Sequence, residues 1–470
     1  MLEGLEVTVL RLSALAEDNP AIRLDSEFNL KEHLAIIAKL KVAGAVRFGD
    51  SEPTIIHPHE ITREYVEEEG VWFFRAQNLR PLQVSENDKV FVSSTDAAKL
   101  NKNRLYPNDL LITRTGANAG DCALFDSEEF AVASSHTFII RSGTWSPQYL
   151  ALFLNSRYGR MQILKGRYGA AQPEVAPNYL RNIWIPKFNA DFYEVIRDTF
   201  AHAKAQRLLA ANNLATADHT LLRALGLKNW HPPEPLTYTR RASDAFAAGR
   251  LDADYFEPKY EALIAKMETA GKCVPLDSLL ELNRRGKQPE YAEYGLPVIN
   301  SKHVLKNEVR LNTGNAFAVT SDDALKIKTG DVVINGTGVG TIGRAAAYLH
   351  KESALPDNHV TILRPRAGAI DPVYLAVYLN TIAGQWQVEK YLRGSSGQIE
   401  LYPVDIAQFQ ICLTPDSIQK EIHNMVISAF SARRQAHALL DAAKRAVEIA
   451  IEHSEQAALE YLAAFDKEAR

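Results

Sequence analysis

The chain contains one module twice. Six short blocks recur in the same order, and each recurs 222 to 227 residues further along the chain. The first pair begins at Arg23 (RLDSEFNLKEHLAIIAKL) and at Arg250 (RLDADYFEPKYEALIAKM). The other pairs are VWFFRAQNLR/LPVINSKHVL, NDLLITRTGANAG/GDVVINGTGVGTIG, SHTFIIR/NHVTILR, PQYLALFLNS/PVYLAVYLNT and AAQPEVAP/SGQIELYP. A shared order at a nearly constant spacing indicates two copies of one domain.

The end of each copy shows the periodicity of a long helix. In the second copy, seam residues step by four and three without a break: Ile418, Ile422, Met425, Ala429, Ala432, Ala436, Leu439, Ala443, Ala446 and Ala450. The first copy has the same steps, with one polar exception at Arg207: Ile196, Phe200, Ala203, Arg207, Ala210, Leu214, Ala217, Leu221 and Ala224. Such seams are typical of coiled coils. Packing of the two helices on each other is favoured over packing of each helix on its own domain.

These patterns predict an α+β protein. Two duplicated mixed α/β domains are expected to be separated by two long antiparallel coiled-coil helices, with pseudo-two-fold symmetry. The predicted ranges are residues 1–188 for the first domain with its helical lead-in, 189–228 for the first long helix, 229–415 for the second domain and 416–470 for the second long helix.

The composition indicates which class of protein the chain belongs to and in which compartment it is expected to function. The 470 residues exceed one ordinary core, and 46% apolar with 23% charged residues is normal for a globular protein. No apolar run has the length of a membrane span, and no signal peptide is recognisable. Three distant cysteines predict a reduced, cytoplasmic setting without a zinc site. The net charge of −4 by itself argues mildly against nucleic acid as a partner, although it does not exclude local basic faces.

Two glycine-rich loops occupy equivalent places, RTGANAG from Arg114 to Gly120 and NGTGVGTIG from Asn335 to Gly343. A dinucleotide-binding loop opens a helix and is followed by an acidic residue, whereas the second loop here leads into RAAAYL, which resembles a strand. The P-loop ending Gly-Lys-Ser/Thr, the Asn-Pro-Pro-aromatic motif of amino-methyltransferases and the Gly-x-Ser-x-Gly elbow are all missing from the sequence.

Four patterns occur in the same order in both copies, and a coiled-coil helix follows each copy. The patterns are RLD-x-[ED]-[FY], [ND]-D-[LV]-[LV]-I-x-x-TG, [SN]-H-x-[FT]-I-[IL]-R and YLA-[LV]-[FY]-LN. This doubled series resembles the DNA-specificity subunit of type I restriction-modification systems. The resemblance runs from about Arg23 to the end of the second long helix. It implies two target-recognition domains, each reading one half of a gapped site on double-stranded DNA, with the long helices as a spacer. It also implies two methyltransferase subunits and motor-nuclease subunits as partners, which would carry S-adenosylmethionine, ATP and Mg, while this chain has no catalytic centre or cofactor.

Polar residues at three places in each copy are the candidate DNA contacts, because Arg, Asn and Gln suit base edges and Gly-flanked amides and hydroxyls suit phosphates. In the first copy they are Arg75, Gln77, Asn78, Arg80, Arg114, Thr115, Asn118, Lys165, Arg167, Tyr168 and Gln172. In the second copy they are Asn300, Lys302, His303, Asn335, Thr337, Arg393, Ser395, Ser396 and Gln398. Each place also has a structural interpretation, namely a solvated turn, a tight loop between strands and a helix C-terminal cap.

Two further equivalent pairs are interpreted as structural. His136 and His359 each precede an apolar run and are expected to be held by a hydrogen bond. Asp25 and Asp252 are expected to cap a helix or to pair with Arg23 and Arg250. A coiled-coil adaptor and a nucleotide-binding enzyme that uses the glycine loops are the alternative functions.

Overall fold

The computed structural model describes residues 9–11, 13, 19, 23–67, 70–86, 89–169, 172–311, 314–320, 322–394 and 399–468. The chain divides into two compact units. The first comprises Met1–Arg207 with Arg434–Arg470, and the second comprises Leu208–Arg433. Each unit therefore holds one copy of the module together with a part of each long helix.

The strands and helices of the first copy follow one another as short elements before the first long helix. Its strands are β1 (Ala45–Arg47), β2 (Thr54–Ile56), β3 (Tyr65–Val66), β4 (Val71–Phe74), β5 (Leu79–Arg80), β6 (Gln83–Val84), β7 (Phe91–Val92), β8 (Leu110–Thr113), β9 (Cys122–Leu124), β10 (Ala131–Ala133), β11 (Thr137–Arg141), β12 (Arg167–Tyr168), β13 (Glu174–Val175) and β14 (Trp184–Pro186). Its helices are α1 (Lys31–Val42), α2 (Ser94–Lys99), α3 (Pro147–Asn155), α4 (Arg157–Lys165), α5 (Pro177–Arg181) and the long α6 (Ala190–Ala224).

The second copy has a matching series of elements. Its strands are β15 (Cys273–Pro275), β16 (Leu280–Arg285), β17 (Glu290–Ala292), β18 (Leu296–Ile299), β19 (Val304–Leu305), β20 (Glu308–Val309), β21 (Phe317–Val319), β22 (Val332–Asn335), β23 (Ala345–Ala347), β24 (Leu355–Pro356), β25 (Val360–Pro365) and β26 (Gln410–Cys412). Its helices are α7 (Ala242–Ala248), α8 (Pro258–Glu268), α9 (Pro372–Asn380), α10 (Ile382–Tyr391), α11 (Pro403–Ile406), the long α12 (Asp416–Glu452) and α13 (Glu455–Glu468).

The duplication seen in the sequence is also present in the sheet topology. The first copy has one sheet in the order β2-β11-β8-β9 and another in the order β10-β4-β7-β3. The second copy repeats both, as β16-β25-β22-β23 and β24-β18-β21-β17. In each copy the second sheet contains one parallel pair, β4 with β10 and β18 with β24. The predicted α+β class and the two-copy organisation are confirmed.

The helix pair α3–α4 and its counterpart α9–α10 show why equivalent sequences form equivalent elements. Each first helix begins at a proline, which suits the first helical position, and is capped by the preceding side chain, Ser146 or Asp371. Two glycines, Gly159 and Gly384, lie where a Cβ atom would collide with backbone of the preceding helix. Glycine at these two positions allows the second helix to approach the first closely.

In each copy, one apolar cluster lies on either face of the sheet that contains β8 or β22. In the first copy, Leu110 and Ile112 of β8 face helix α3, while Leu111 faces the other sheet with Trp72 and Phe125. In the second copy, Val332 and Ile334 of β22 face α9, while Val333 faces the second cluster. Because both faces of these strands are covered, the strands are apolar throughout rather than alternating.

The seam residues of the long helices pack against each other within each unit. In the first unit, Ile196, Phe200 and Ala203 of α6 share a core with Ala443 and Ala446 of α12. In the second unit, Ala210 of α6 packs with Ala429 and Ala432 of α12, and Leu221 shares a core with Ile422. Early residues of one helix meet late residues of the other in both units, so the predicted antiparallel pairing is confirmed.

One detail of the long helices was not expected. The second long helix ends at Glu452, and α13 follows as a separate helix within the predicted range 416–470. Residues 453 and 454 separate the two helices, and Ala458 and Leu462 of α13 pack into the first core. The polar exception in the seam, Arg207, donates from Nη2 to Asp126 Oδ2 at 3.1 Å. Its side chain thereby joins the helix to the first domain.

Cys273 and Cys412, which are 139 residues apart in sequence, face each other in the antiparallel pair β15–β26, close enough for a disulfide, and Cys122 is buried. The reduced setting that the sequence suggests stays a prediction. Within the described ranges, no helix combines the length and apolar character that crossing a membrane requires.

Candidate nucleic-acid interface

The two glycine loops connect antiparallel strands in both copies. The first follows β8 and leads into β9, and the second follows β22 and leads into β23. Gly116 and Gly338 have φ values of 99° and 102°, which suit glycine far better than any residue with a side chain. Neither loop opens a helix, so neither has the geometry of a dinucleotide-binding turn. The structural interpretation of a tight loop between two strands is confirmed.

In each copy a short extended segment near the end of the domain is hydrogen-bonded to the glycine loop. We call this segment, Glu174–Val175 or Glu400–Leu401, the return strand. The amide of Val175 donates to the carbonyl of Arg114 at 3.0 Å. In the second copy the amide of Leu401 donates to the carbonyl of Gly336 at 2.9 Å. Isolated β-bridges pair Thr115 with Glu174 and Thr337 with Glu400. Glu174–Val175 and Glu400–Leu401 therefore lie beside the glycine loops, although they are far from them in sequence.

An exposed histidine bonds to the threonine of the glycine loop in both copies. Thr115 Oγ1 lies 2.8 Å from His136 Nδ1, and Thr337 Oγ1 lies 2.6 Å from His359 Nδ1. Both imidazole side chains are exposed at the surface, next to the loop. The sequence interpretation of a histidine held by a hydrogen bond is confirmed, and the partner in each case is the loop itself.

Beside each threonine–histidine pair lies an ion pair between an arginine and a glutamate. Arg114 Nε donates to Glu174 Oε1 at 2.7 Å, and its Nη1 contacts His57 Nε2. We call His57, Arg114, Thr115, His136 and Glu174 the first polar cluster. Burial lowers the pKa of His57, and the charge of Arg114 lowers it further. A neutral His57 ring can accept a hydrogen bond from the guanidinium.

The second polar cluster comprises Arg285, Gly336, Thr337, His359 and Glu400. Arg285 Nη1 donates to Glu400 Oε2 at 3.2 Å, and Arg285 Nε donates to the carbonyl of Asn358 at 2.7 Å. A hydrogen bond from Tyr402, together with the nearby Arg285, lowers the pKa of Glu400. Both clusters thus place a paired arginine, a threonine–histidine pair and a glycine loop on one surface of each domain.

The Arg-Leu-Asp blocks hold the segment that enters each return strand. Arg23 pairs with Asp25 and donates to the carbonyl of Arg167 at 2.7 Å. Arg250 pairs with Asp252 and donates to the carbonyl of Leu392 at 2.9 Å. The hydrogen bonds from these arginines lower the pKa values of Asp25 and Asp252. The expected pairing of these aspartates is confirmed.

Four of the candidate DNA contacts are buried. Asn78 and Asn335 are 0% exposed, His303 is 2% exposed and Lys165 is 3% exposed. Asn78 bonds to backbone of its own turn, and Asn335 Nδ2 donates to the carbonyls of Ser301, Val304 and Thr341. These side chains fix the loops from inside. Polar residue type does not reveal this burial, so these four differ from the other predicted DNA contacts in having side chains that are not accessible in the chain without DNA.

Other candidates reach the surface but have partners within the protein. Arg114, Thr115 and Thr337 belong to the polar clusters, and Arg393 forms a two-armed ion pair with the buried Asp405 at 2.6 and 2.8 Å. Arg80 Nη1 donates to the carbonyls of Gln77 and Leu79. These partners occupy at least one arm of each guanidinium, and they leave fewer donors for DNA than the sequence suggests.

The remaining described candidates divide by exposure. Exposed side chains are Gln77, Asn118, Tyr168, Gln172 and Lys302, and half-buried ones are Arg75, Arg167 and Asn300. Ser395, Ser396 and Gln398 lie outside the described residues. Gln77 and Lys302 are equivalent positions. Tyr168 and Arg393 are also equivalent, because they pair with Glu174 and Glu400 respectively. The two copies therefore present different chemistry from the same places.

Sequence reasoning missed His57, Arg285, Glu174 and Glu400 as members of the site. Glu174 and Glu400 occupy matching places in the last pair of blocks, which was an available signal. His57 and Arg285 lie where the two copies share no recognisable sequence, so only strand register relates them. Among the described residues, no group of three or more His, Cys, Asp or Glu side chains is placed to hold a metal ion.

The chain matches no protein-family model and no curated protein sequence. It is similar in structure to a type I restriction-modification S subunit from M. genitalium, with 13% identity, a TM-score of 0.42, and 87% of this chain and 94% of that chain covered. It is similar to an HsdS subunit from Thermoanaerobacter tengcongensis, with 15% identity, a TM-score of 0.26, and 88% and 95% covered. A structure of a type I R-M system gives 15% identity, a TM-score of 0.28, and 88% and 96% covered.

Proposed function

We propose that this chain is a sequence-specific DNA-binding subunit of a type I restriction-modification complex. Each domain would read one half of a bipartite, gapped site on double-stranded DNA, and the chain itself would neither methylate nor cut. The observation that carries this proposal is a shared framework with different exposed side chains. Both domains have the same sheet orders and the same polar clusters.

The difference between the two surfaces supports two readers rather than one active site. At equivalent places the first domain presents Gln77 and Tyr168, and the second presents Lys302 and Arg393. Amide, aromatic, ammonium and guanidinium groups make different contacts with base edges and phosphates. A duplicated enzyme would instead need the same reactive groups in both copies, or convergent groups in one pocket.

The long helices suit a scaffolding role in the same complex. Their seam is rich in alanine, which lets the two backbones pack closely in both units. We propose that methyltransferase subunits dock on these helices, and that motor-nuclease subunits join the assembly in the cytoplasm. S-adenosylmethionine, ATP and Mg would be held by those partners and not by this chain.

Selection of DNA fragments tests the proposal. The full chain, together with its methyltransferase partner, would be incubated with random duplexes, and the retained fragments would be sequenced. The expected result is a consensus of two short specific halves separated by a gap of fixed length. Recovery of no gapped consensus would contradict the DNA-reading function and favour a coiled-coil adaptor.

Calorimetric titration tests the alternative of a nucleotide-dependent enzyme. The chain alone would be titrated with ATP, NAD and S-adenosylmethionine. The glycine loops join antiparallel strands and have no helix N-terminus to hold a phosphate, so no binding is expected. Clear binding of any of the three would show that DNA recognition is not the chain's sole function.

A further inference from the structure

The arginine of the polar cluster comes from a different strand in each copy. In the first cluster Arg114, directly after β8, donates to Glu174 and, from Nη1, to the carbonyl of Ser135 at 3.2 Å. In the second cluster Arg285, at the end of β16, donates to Glu400 and to the carbonyl of Asn358. The guanidinium therefore contacts the same two partners, a return-strand glutamate and the carbonyl before the exposed histidine.

Strand register identifies the equivalent positions. Ile56 pairs with Ile139 in the first copy, and Arg284 pairs with Ile362 in the second, so His57 corresponds to Arg285. Thr113 pairs with Thr137, and Asn335 pairs with Val360, so Arg114 corresponds to Gly336. Where one copy has histidine and arginine, the other has arginine and glycine. The two copies thus have the same guanidinium contacts, but the arginine that makes them lies on a different strand in each copy.

We propose that this guanidinium is a positioning group in both domains, which fixes the glycine loop and the exposed histidine for DNA recognition without contacting DNA itself. The inference rests on the proposed function. The two arginines start from different strands, yet both reach the equivalent glutamate and the equivalent carbonyl before the histidine. What the two copies retain is therefore the connection between the loop, the glutamate segment and the histidine turn.

The charge balance of the clusters agrees with this role. Arg114 and Glu174 are both mostly buried, with 22% and 26% of their side chains exposed, and Arg285 is 19% exposed. Each arginine charge is neutralised by its glutamate through a charge-assisted hydrogen bond. A neutralised, two-armed guanidinium offers little attraction to a phosphate. The exposed His136 and His359, and the loop beside them, remain the groups that face outward.

Moving the arginine within the first copy tests the inference. Arg114→Gly removes the guanidinium, His57→Arg adds one from the other strand, and the double variant reproduces the arrangement of the second copy. Arg114→Gly is expected to reduce discrimination in the half-site read by the first domain about tenfold, which corresponds to a typical coupling energy between contacting groups. The double variant is expected to recover most of that loss, and the other half-site should not change in either variant.

Two further variants serve as controls. One distinguishes the geometry of the guanidinium from its charge, and the other tests the equivalent arginine in the second copy. Arg114→Lys keeps the charge but loses the two-armed geometry, so it should behave like Arg114→Gly. Arg285→His in the second copy is the matched control, and it should relax only the other half-site. Binding measured over a range of salt concentrations is the third readout, because a lost phosphate contact would lower the salt dependence by about one charge.

Hydrogen exchange at the Val175 amide provides a readout without DNA, since this amide donates to the carbonyl of Arg114. Exchange should become faster in Arg114→Gly and return toward the wild-type rate in the double variant. A double variant no better than the single one in exchange and discrimination, or wild-type discrimination in Arg114→Lys, would overturn the inference. If wild-type protein selects no gapped site, the proposed function fails, while the exchange rates still decide whether the guanidinium positions the loop.

Discussion

At the scale of single residues, the two copies have the same residue at positions where packing or a hydrogen bond admits only one residue type. Asn155 and Asn380 each end a helix and donate from Nδ2 to a strand carbonyl, that of Cys122 at 2.9 Å and that of Ala345 at 2.6 Å. Gly159 and Gly384 provide a second example. Such positions were recognisable from the aligned blocks. Burial of Asn335 and His303 was not, because it depends on segments that approach only in the folded domain.

Substitution of Gly384 by alanine tests the close approach of α10 to α9. A Cβ atom at this position would collide with backbone atoms of Leu379, which cannot move without displacing the helix. We expect the free energy of unfolding to fall by about 1–3 kcal/mol, as in other overpacked cores. Denaturation by urea measures the change. Gly271→Ala is the control, because its Cβ would meet only the carbonyl of Leu413 at 3.4 Å, and an equal loss there would contradict the explanation.

Three histidines predict how stability depends on pH. Burial lowers the pKa of His33, His57 and His303 below the ordinary value of 6.5, with help from Lys165, Arg114 and Lys302 respectively. The unfolded chain therefore binds these protons more readily than the folded protein. Their contribution to stability is present above pH 6.5 and is lost as the pH falls through the lowered values. Unfolding at pH 7.5 and at pH 5.5 should show the loss, and His303→Gln should reduce it. An unchanged pH dependence in that variant would contradict the assignment for His303.

At the scale of elements, the observed strands and long helices agree closely with those predicted from the sequence, and the exceptions have physical causes. The apolar runs LLIT and VVIN became central strands, and the alanine-rich seams became packed helices. The break after Glu452 was not foreseen, because His453 and Ser454 at the break are neither glycine nor proline, the residues that most clearly mark the end of a helix. The relocated arginine was not foreseen either, because strand register, and not sequence similarity, relates His57 to Arg285.

The alanine seam predicts that larger side chains will separate the long helices. Ala429 is completely buried between α12 and α6, beside Ala210. Ala429→Leu should lower the free energy of unfolding by about 1–3 kcal/mol, because the added atoms have no space. Ala211→Leu is the matched control on the exposed side of α6 and should have little effect. Thermal unfolding of both variants makes the comparison, and equal melting temperatures would show that the seam is not closely packed.

At the scale of the whole molecule, duplication is the property that gives the chain its proposed function. One domain repeated with the same framework provides two surfaces whose exposed residues can differ independently. Gln77 and Lys302 occupy the same place in the two copies and present different chemistry to a ligand. Under the proposed function, the bases that each surface would read depend on DNA shape and loop geometry as much as on hydrogen-bonding groups.

Exchange of one domain tests the independent-reader account most directly. Val42–Lys187 would be replaced by the equivalent domain of a related chain with a different target, and the DNA selected by the hybrid and its methyltransferase partner would be sequenced. The account predicts a new sequence in one half of the site, with the other half and the gap unchanged. A change in both halves, or in neither, would contradict it.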